Sequence, residues 1–472
     1  MRRHVAVENI RYVGRDPVRC TLERGSSRTT IYLYQWPAEK ENNTGVVNET
    51  MKCRVEGPGI SSLGQNPAQD EASWSSMKMC MAEIMDKIPS SQQNTTPLFL
   101  GATAGMRLLR QKNNTASDKI LQDMREYLQR LPLSFQNASI ISGEEEGLYG
   151  WITANYLKGN LIEVGEILYS LLMCFGSLDL GGASTQIAFS VPSEEVPGDP
   201  RPDGFVEVWL YGYEYNVYTH SFTCYGKDEA EKKVLASLVQ VCSRSSLRKV
   251  ENPCYLQGYS ITLSAEYIFG TPCNEKPKNY NPKQEITFVG TGDPVLCRAT
   301  VRTMFDLTSC QGLSNCSFNG VYQPPVSGSF MAYAGFSYIV EMFQLNTSFS
   351  LDTFNSTIWS HCSTPWQKLK EMYPKKNEKY LRTYCYSSNL VYTLLVDGYG
   401  FSPQTWNNIR FQNRVTWPLG YMLTLSNKIP AQAKLLQLPM DNSVFAGLLF
   451  MFSALAILSV MFLIISVVRA CY

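Results

Sequence analysis

The sequence predicts a mixed α/β protein of two related lobes facing one cleft, with a single membrane helix near its C-terminus. Three observations carry this. Two Gly/Ser/Thr loops far apart in the chain each lead into a β-rich run, helix-compatible and strand-like segments alternate around them, and residues 444–468 carry no charge.

The first loop, Gly25-Ser26-Ser27-Arg28-Thr29, precedes the alternating run Thr30–Tyr34, and the second, Gly181-Gly182-Ala183-Ser184-Thr185, precedes Gln186–Phe189. Each reads as a turn entering a strand. Helix-compatible segments follow at Ser117–Arg130, Asp228–Val241 and Ser329–Phe343, interleaved with strand-like runs such as Phe205–Tyr211. The Pro-rich stretches Val191–Pro202 and Lys276–Lys283 read as surface loops. Such αβ order with two similar loops points to two lobes and a cleft between them. The expected division is 1–142 with 415–440, then 143–414, then the membrane helix 444–468 after a short stalk over Gln432–Asn442.

The 25 uncharged positions Val444–Val468 exceed the length needed to cross about 30 Å of hydrocarbon; a buried core helix is the competing reading. Met1–Cys20 holds no apolar stretch able to act as a signal peptide, so a lone C-terminal span would leave the main domain in the cytosol. Eight Asn-x-Ser/Thr sequons argue the opposite, beginning at Asn42, Asn48, Asn94, Asn113, Asn137, Asn315, Asn346 and Asn355. They are of use only to a domain that enters the secretory pathway. Fourteen cysteines, nine of them between Cys224 and Cys385, fit a disulfide framework in an oxidising compartment. Zinc is the competing reading, disfavoured by the lack of any C-x-x-C and by the presence of only three histidines, His4, His220 and His361. The 472 residues are 44% hydrophobic and 12% aromatic, enough for a large core. With 42 basic and 41 acidic residues the net charge is +1, so no bulk field or basic run serves nucleic acid, and phosphate recognition must be local.

Small residues in tight turns let backbone N–H groups approach phosphate oxygens, and hydroxyls add donors. Asp179-Leu180-Gly181-Gly182-Ala183-Ser184-Thr185 has this form, with a carboxylate at its start to hold a hydrated cation. A structural turn is the alternative, weakened by the second loop at Gly25. Leu100-Gly101-Ala102-Thr103-Ala104-Gly105-Met106-Arg107 adds small residues, a hydroxyl and a cation. Ile141-Ser142-Gly143-Glu144-Glu145-Glu146-Gly147 supplies three consecutive carboxylates before an apolar run. By itself that is a solvated acidic turn; at the mouth of a phosphate cleft it is a source of a general base for phosphoanhydride hydrolysis.

With these segments in order, joined by Asp397-Gly398-Tyr399-Gly400-Phe401 leading to Trp406, the chain resembles the cell-surface ecto-nucleoside triphosphate diphosphohydrolases, or apyrases, over roughly Glu23 to Ile429. Within that family, Val55–Ser62 and Asn319–Pro325 look nearest to the eighth-numbered vertebrate member. The resemblance implies two RNase H-like lobes of the actin/Hsp70/sugar-kinase superfamily with nucleotide between them. It implies Glu146 as general base, with Ser184 and Gln186 positioning the water. Ser26, Ser27, Arg28, Thr103, Ala104, Gly182 and Ala183 would line the phosphate path. Asp179 and Glu23 would hold Ca²⁺ or Mg²⁺ through water. Tyr338 and Tyr386 would stack on the base, with Arg382 and Lys227 nearby; ordinary packing is the alternative for these four. The family's disulfide pattern fits Cys53–Cys80, Cys224–Cys273, Cys254–Cys297, Cys310–Cys316 and Cys362–Cys385, leaving Cys20, Cys174, Cys242 and Cys471 over. The implied substrates are extracellular nucleoside tri- and diphosphates, hydrolysed at the plasma membrane, with a homo-oligomer left open.

Two segments depart from the family. Its members read Asp-Ala-Gly-Ser-Ser at the first loop, after an apolar strand and an N-terminal membrane helix, whereas this chain reads Leu22-Glu23-Arg24-Gly25-Ser26 after Pro17. The longer Glu would displace a metal-facing carboxylate, Arg24 would crowd or clamp the phosphates, and Pro17 would remove a donor from a central strand. Residues 163–176 also lack the family's usual sequence, and both segments are expected to be altered or misjoined exon regions. The alternative function is therefore a catalytically impaired or non-catalytic surface glycoprotein; a kinase of the same superfamily lacks a visible acceptor site.

Overall fold

The computed structural model describes residues 18–24, 28–35, 46–64, 67–161, 174–198, 202–242, 249–310, 312–313, 315–345, 348–427 and 442–471. The first sheet contains β1 (Val18–Arg24), β2 (Thr29–Gln35), β3 (Asn48–Val55), β4 (Pro97–Ala102) and β5 (Ser134–Ile140), in the order β3-β2-β1-β4-β5. β1, β2 and β3 pair antiparallel, while β4 and β5 continue parallel to β1. β2 is buried on both faces, which is why Thr29–Tyr34 is nearly all apolar or β-branched. Alternate residues then serve opposite sides. Ile31 and Leu33 pack with Met77, Met81 and Ile84 of α1 (Pro67–Asp86), and Tyr32 and Tyr34 pack with Trp151 and Ile152. Helices α2 (Ala104–Lys112) and α3 (Asn114–Gln129) follow β4; Asn113 caps α3 by accepting from the Ala116 amide at 3.0 Å. The segment expected as helix over Ser117–Arg130 is thus helical.

Helix α4 (Gly143–Leu157) joins this layer to a second run of strands: β6 (Gly176–Leu180), β7 (Ser184–Ser190), β8 (Phe205–Leu210), β9 (Tyr213–Thr223), β10 (Lys249–Asn252), β11 (Ser260–Ser264), β12 (Glu285–Gly290), β13 (Phe330–Ala334) and β14 (Ile409–Phe411). Six of them form a sheet ordered β14-β13-β6-β7-β9-β8, and β10-β12-β11 form a small separate one. β6, β7 and β9 run antiparallel in sequence, and β13 and β14 extend parallel to β6. This is the plan of the first sheet repeated, with β6-β7-β9 standing for β1-β2-β3 and β13-β14 for β4-β5. The two Gly/Ser/Thr segments fall at equivalent places in the chain order, between β1 and β2 and between β6 and β7.

Further helices are α5 (Lys227–Cys242), α6 (Gly335–Met342), α7 (Tyr384–Tyr392) and α8 (Trp417–Asn427). α5 agrees with the expected helix over Asp228–Val241, and β8 with the strand expected from Phe205. The continuous helix expected over Ser329–Phe343 is corrected: Phe330–Ala334 is strand β13, Ala334 turns at φ +52°, and α6 begins at Gly335. Pairing decides this, because β13 lies between β6 and β14 and the Phe330 ring fills the space where a Gly176 side chain would stand. α4 and α8 cross closely enough that a Cβ on Gly420 would meet the Tyr149 carbonyl at 2.0 Å, and Thr153 Oγ1 donates to the Thr416 carbonyl at 2.9 Å.

All five disulfides implied by the resemblance are present, Cys53–Cys80, Cys224–Cys273, Cys254–Cys297, Cys310–Cys316 and Cys362–Cys385. Cys174 is a buried free thiol that burial pushes up to about 12, which makes it inert. The side chains of Cys20, Cys242 and Cys471 lie outside the described residues.

A separate unit carries the helix α9 (Asn442–Cys471), in which Gly447–Val467 is long and apolar enough to cross a membrane and none of that window is buried. Most of the expected stalk over Gln432–Asn442, Pro17 and residues 163–173 lie outside the described residues. β1 nevertheless runs through Leu22-Glu23-Arg24 as the middle strand of five, with Glu23 opposite Thr30 and Gly101.

Candidate active site

Ser142 starts α4 with a reciprocal cap: its Oγ accepts from the Glu145 amide at 3.0 Å and Glu145 Oε2 accepts from the Ser142 amide at 2.8 Å. This cap explains the three glutamates in a row. Glu145 is consumed by the cap, Glu144 takes the next position, and Glu146 is turned inward, 7% exposed, in the first turn where the helix dipole favours a carboxylate. The solvated acidic turn considered from sequence is a helix start in which Glu145 stays exposed and Glu146 is buried.

Glu146 meets two other side chains, and both of these also reach Ser184. Its Oε2 accepts from Arg107 Nη2 at 3.0 Å and from Gln186 Nε2 at 3.3 Å. Gln186 Nε2 also donates to Ser184 Oγ at 2.6 Å, and Arg107 Nη2 donates to the same oxygen at 3.2 Å. Ser184 and Gln186 are two residues apart in β7 and so share a face, while Thr185 points the other way and donates to the Asp179 carbonyl at 2.7 Å. Burial raises the Glu146 pKa above its usual value, against the opposing charge and hydrogen bond of Arg107. Arg107 was recognised in the sequence only as a nearby cation; at 39 and 77 residues from Glu146 and Ser184, no local pattern announces its role.

The hydrogen-bond inventory gives this cluster a direction. Both lone pairs of Ser184 Oγ face donors, Arg107 and Gln186, so its own hydrogen is left to donate elsewhere. Gln186 Oε1 is buried and accepts no hydrogen bond from another side chain among the described residues. One carboxylate, one free carbonyl oxygen and one available O–H therefore converge, as a bound water needs.

The turn beside them is held by its carbonyls. Lys227, Asp228 and Cys224 amides donate to the carbonyls of Gly181, Gly182 and Ala183, each at 2.8 Å. The chain passes so near that a Cβ on Gly226 would meet Ser184 N at 2.3 Å and Ala183 N at 2.4 Å. Ala183 packs with Ala104 and Leu108 of α2, which brings the Thr103-Ala104 segment to the same turn. Thr103 is the buried N-cap position of α2. Asp179 is the last residue but one of β6, opposite Gln186, and is 8% exposed.

The remaining sequence candidates divide. Arg28 Nη1 donates to Tyr338 Oη at 3.3 Å, joining the first loop to α6, where Tyr338 is 40% exposed. Lys227 pairs with Asp228 at the start of α5. Tyr386 is buried in the main core and donates to the Lys227 carbonyl at 3.1 Å. Arg382 is also buried, with its guanidinium on Glu231 and on Tyr255 Oη at 2.6 Å. Ser26, Ser27 and the Glu23 side chain lie outside the described residues.

The described part of the chain is similar to a solved structure titled nucleoside triphosphate hydrolases from Neospora caninum, with a TM-score of 0.58 at 15% identity, covering 88% of this chain and 93% of that one, a likeness of fold. Ectonucleoside triphosphate diphosphohydrolase 3 of Homo sapiens is 48% identical, over 94% of this chain and 84% of that protein. Ectonucleoside triphosphate diphosphohydrolase 8 of Rattus norvegicus is 44% identical, over 87% of this chain and 83% of that protein. The higher identity to the type 3 protein corrects the expectation of a nearest likeness to the eighth-numbered member: two short segments do not speak for the whole chain. Residues 18–438 match the GDA1/CD39 (nucleoside phosphatase) family, and with that span covering both sheets and the whole Glu146 cluster, the chain belongs to this family.

Proposed function

We propose that the protein is a membrane-anchored ectoenzyme that hydrolyses extracellular nucleoside tri- and diphosphates to monophosphates at the terminal phosphate. The observation that carries this reading is the convergence of Glu146, Gln186 and Ser184 beside the Gly181–Ala183 turn, a base and a water site next to a phosphate cradle. The names of the relatives support the substrate class, and the sequons and the apolar helix α9 support an extracellular domain on a membrane.

In this reading the Gly182 and Ala183 turn, with Ser26, Ser27, Arg28 and the start of α2, binds the phosphate chain. Tyr338, Tyr386 and Lys227 surround the base, and Arg382 supports them from its buried place on Glu231 and Tyr255. Gln186 Oε1 and the Ser184 hydroxyl orient a water toward the terminal phosphorus. As its oxygen bonds to phosphorus, Glu146 takes its proton, the bridging P–O bond breaks, and the departing diphosphate or monophosphate keeps the bond's electron pair. Arg107 opposes the rise in the Glu146 pKa that burial causes.

Asp179, with Glu23, would hold Ca²⁺ or Mg²⁺ through water. Asp179 fits that role as a buried carboxylate at the turn. Few protein ligands beside substrate phosphates suit a hard, hydrated cation. When bound, it supplies positive charge to the phosphate oxygens. Phosphate release from ATP and ADP, with Ca²⁺ or Mg²⁺ and with chelator, tests the reading. Release that Glu146→Ala abolishes and chelator suppresses is expected; release untouched by Glu146→Ala would refute the base.

A further inference from the structure

We propose that Ser221 is a positioning residue for this hydrolysis, acting on the Gln186 amide, and the inference rests on the reading given under Proposed function. Gln186 Nε2 donates to Ser221 Oγ at 2.9 Å as well as to Ser184 Oγ at 2.6 Å, and Glu146 Oε2 stands at 3.3 Å. A primary amide has two hydrogens and one carbonyl oxygen. Ser184 and Ser221 lie at the two short distances, and the Glu146 carboxylate, which only accepts, sets the nitrogen end toward itself; Ser221 then holds the amide plane that leaves Oε1 for water. Turned over, Oε1 would face the Glu146 carboxylate, acceptor against acceptor.

Ser221 has a second hold on the site. A Cβ on Gly143 would stand 2.2 Å from Ser221 Cβ and 2.4 Å from its Oγ, so the first residue of α4 rests directly on Ser221. Two residues earlier on β9, Thr219 Oγ1 donates to the Glu144 carbonyl at 3.0 Å, and a Cβ on Gly147 would meet that Oγ1 at 2.4 Å. One face of β9 therefore sets both the seat of α4, which carries Glu146, and the amide plane of Gln186 in β7. Ser221 touches neither phosphate nor base in this arrangement.

The test is steady-state phosphate release from ATP by Ser221→Ala, Gln186→Ala and the double variant, with thermal midpoints for each. Loss of one hydrogen bond to Gln186 is expected to lower kcat on the order of tenfold with KM within about twofold. In the Gln186→Ala background Ser221→Ala should cost nothing further. Ser221→Ala with wild-type kcat, a change confined to KM, or an equal loss in both backgrounds would overturn the assignment. Loss of kcat merely in proportion to a lowered fraction folded would overturn it too. An inactive wild-type chain would instead refute the hydrolase reading.

Discussion

The Arg107 guanidinium stands 3.0 Å from the Glu146 carboxylate, with side chains only 15% and 9% exposed. A base so buried would hold its proton too tightly to work, and the cation returns part of what desolvation removes. Arg107→Ala removes both the charge and the hydrogen bond, so the Glu146 pKa rises further. The ionised form is the working one, hence the acidic limb of kcat/KM should move to higher pH, and the maximum should fall on the order of a hundredfold. Arg107→Lys keeps a charge without the fork, so it should recover the limb more than the rate. A limb that stays in place in Arg107→Ala would detach Arg107 from the base.

The same raised pKa makes a stability prediction of definite sign. Between the unfolded and folded pKa values of Glu146 the native state binds the proton more tightly than the unfolded chain, so stability falls as pH rises through that window. Thermal unfolding followed from about pH 4.5 upward should show this decline, and Glu146→Gln should flatten it. An identical slope in both proteins would mean that other groups set the pH response.

Gly226→Ala should be among the most damaging small substitutions in the chain. The added Cβ would meet main-chain atoms of Ala183 and Ser184 below 2.5 Å, and backbone cannot rotate aside as a side chain can. The turn must shift, taking its phosphate donors and Ser184 with it. Loss of kcat/KM well beyond tenfold is expected, with a lower thermal midpoint. Near-normal activity would show that the turn does not bind phosphate in this geometry.

Much of this architecture was legible from two loops. Gly25–Thr29 and Gly181–Thr185 each stand between two strands that pair antiparallel, β1 with β2 and β6 with β7, and the repeated sheet order follows. The strand β13 was not legible, since Phe330–Ala334 has no alternation to distinguish it from helix when both faces are buried. The disulfide pairs came from family resemblance, as spacing alone leaves many connectivities open. Glu146 came from its segment and its family, although the Ser142–Glu145 capping pattern already marked a helix start. Arg107, Thr219 and Ser221 were missed because their partners lie 35 to 77 residues away, at distances in sequence that periodicity does not reach.

Arg382 separates a base-binding role from a structural one. Its guanidinium lies on Glu231 and Tyr255, and the Tyr255 hydroxyl also donates to Glu231 at 2.7 Å. Arg382→Ala leaves a buried carboxylate without its cation, which costs roughly 3–5 kcal/mol. A large fall in thermal midpoint, shared by ATP and UTP hydrolysis alike, is expected. A normal midpoint with KM raised for one nucleotide would place the guanidinium on the base instead.

The Cys224–Cys273 disulfide should matter to catalysis more than its distance from the base suggests. Cys224 holds the Ala183 carbonyl through its amide while sitting at φ +75°, a conformation that a non-glycine residue keeps only when its surroundings impose it. The cystine also packs against Ala183 and Leu108, between the turn and α2. Replacing both cysteines by serine frees Cys224 to relax and releases a loop of sequence separation 49, at a cost of roughly 2–4 kcal/mol. Cys310–Cys316 spans a separation of only 6 and is not among the described residues packed on Ala183, so the matched double serine variant there is the control. Phosphate release at a temperature where both variants stay folded should fall strongly for the first pair and little for the second. Equal activities would mean that the turn keeps its shape without the bridge.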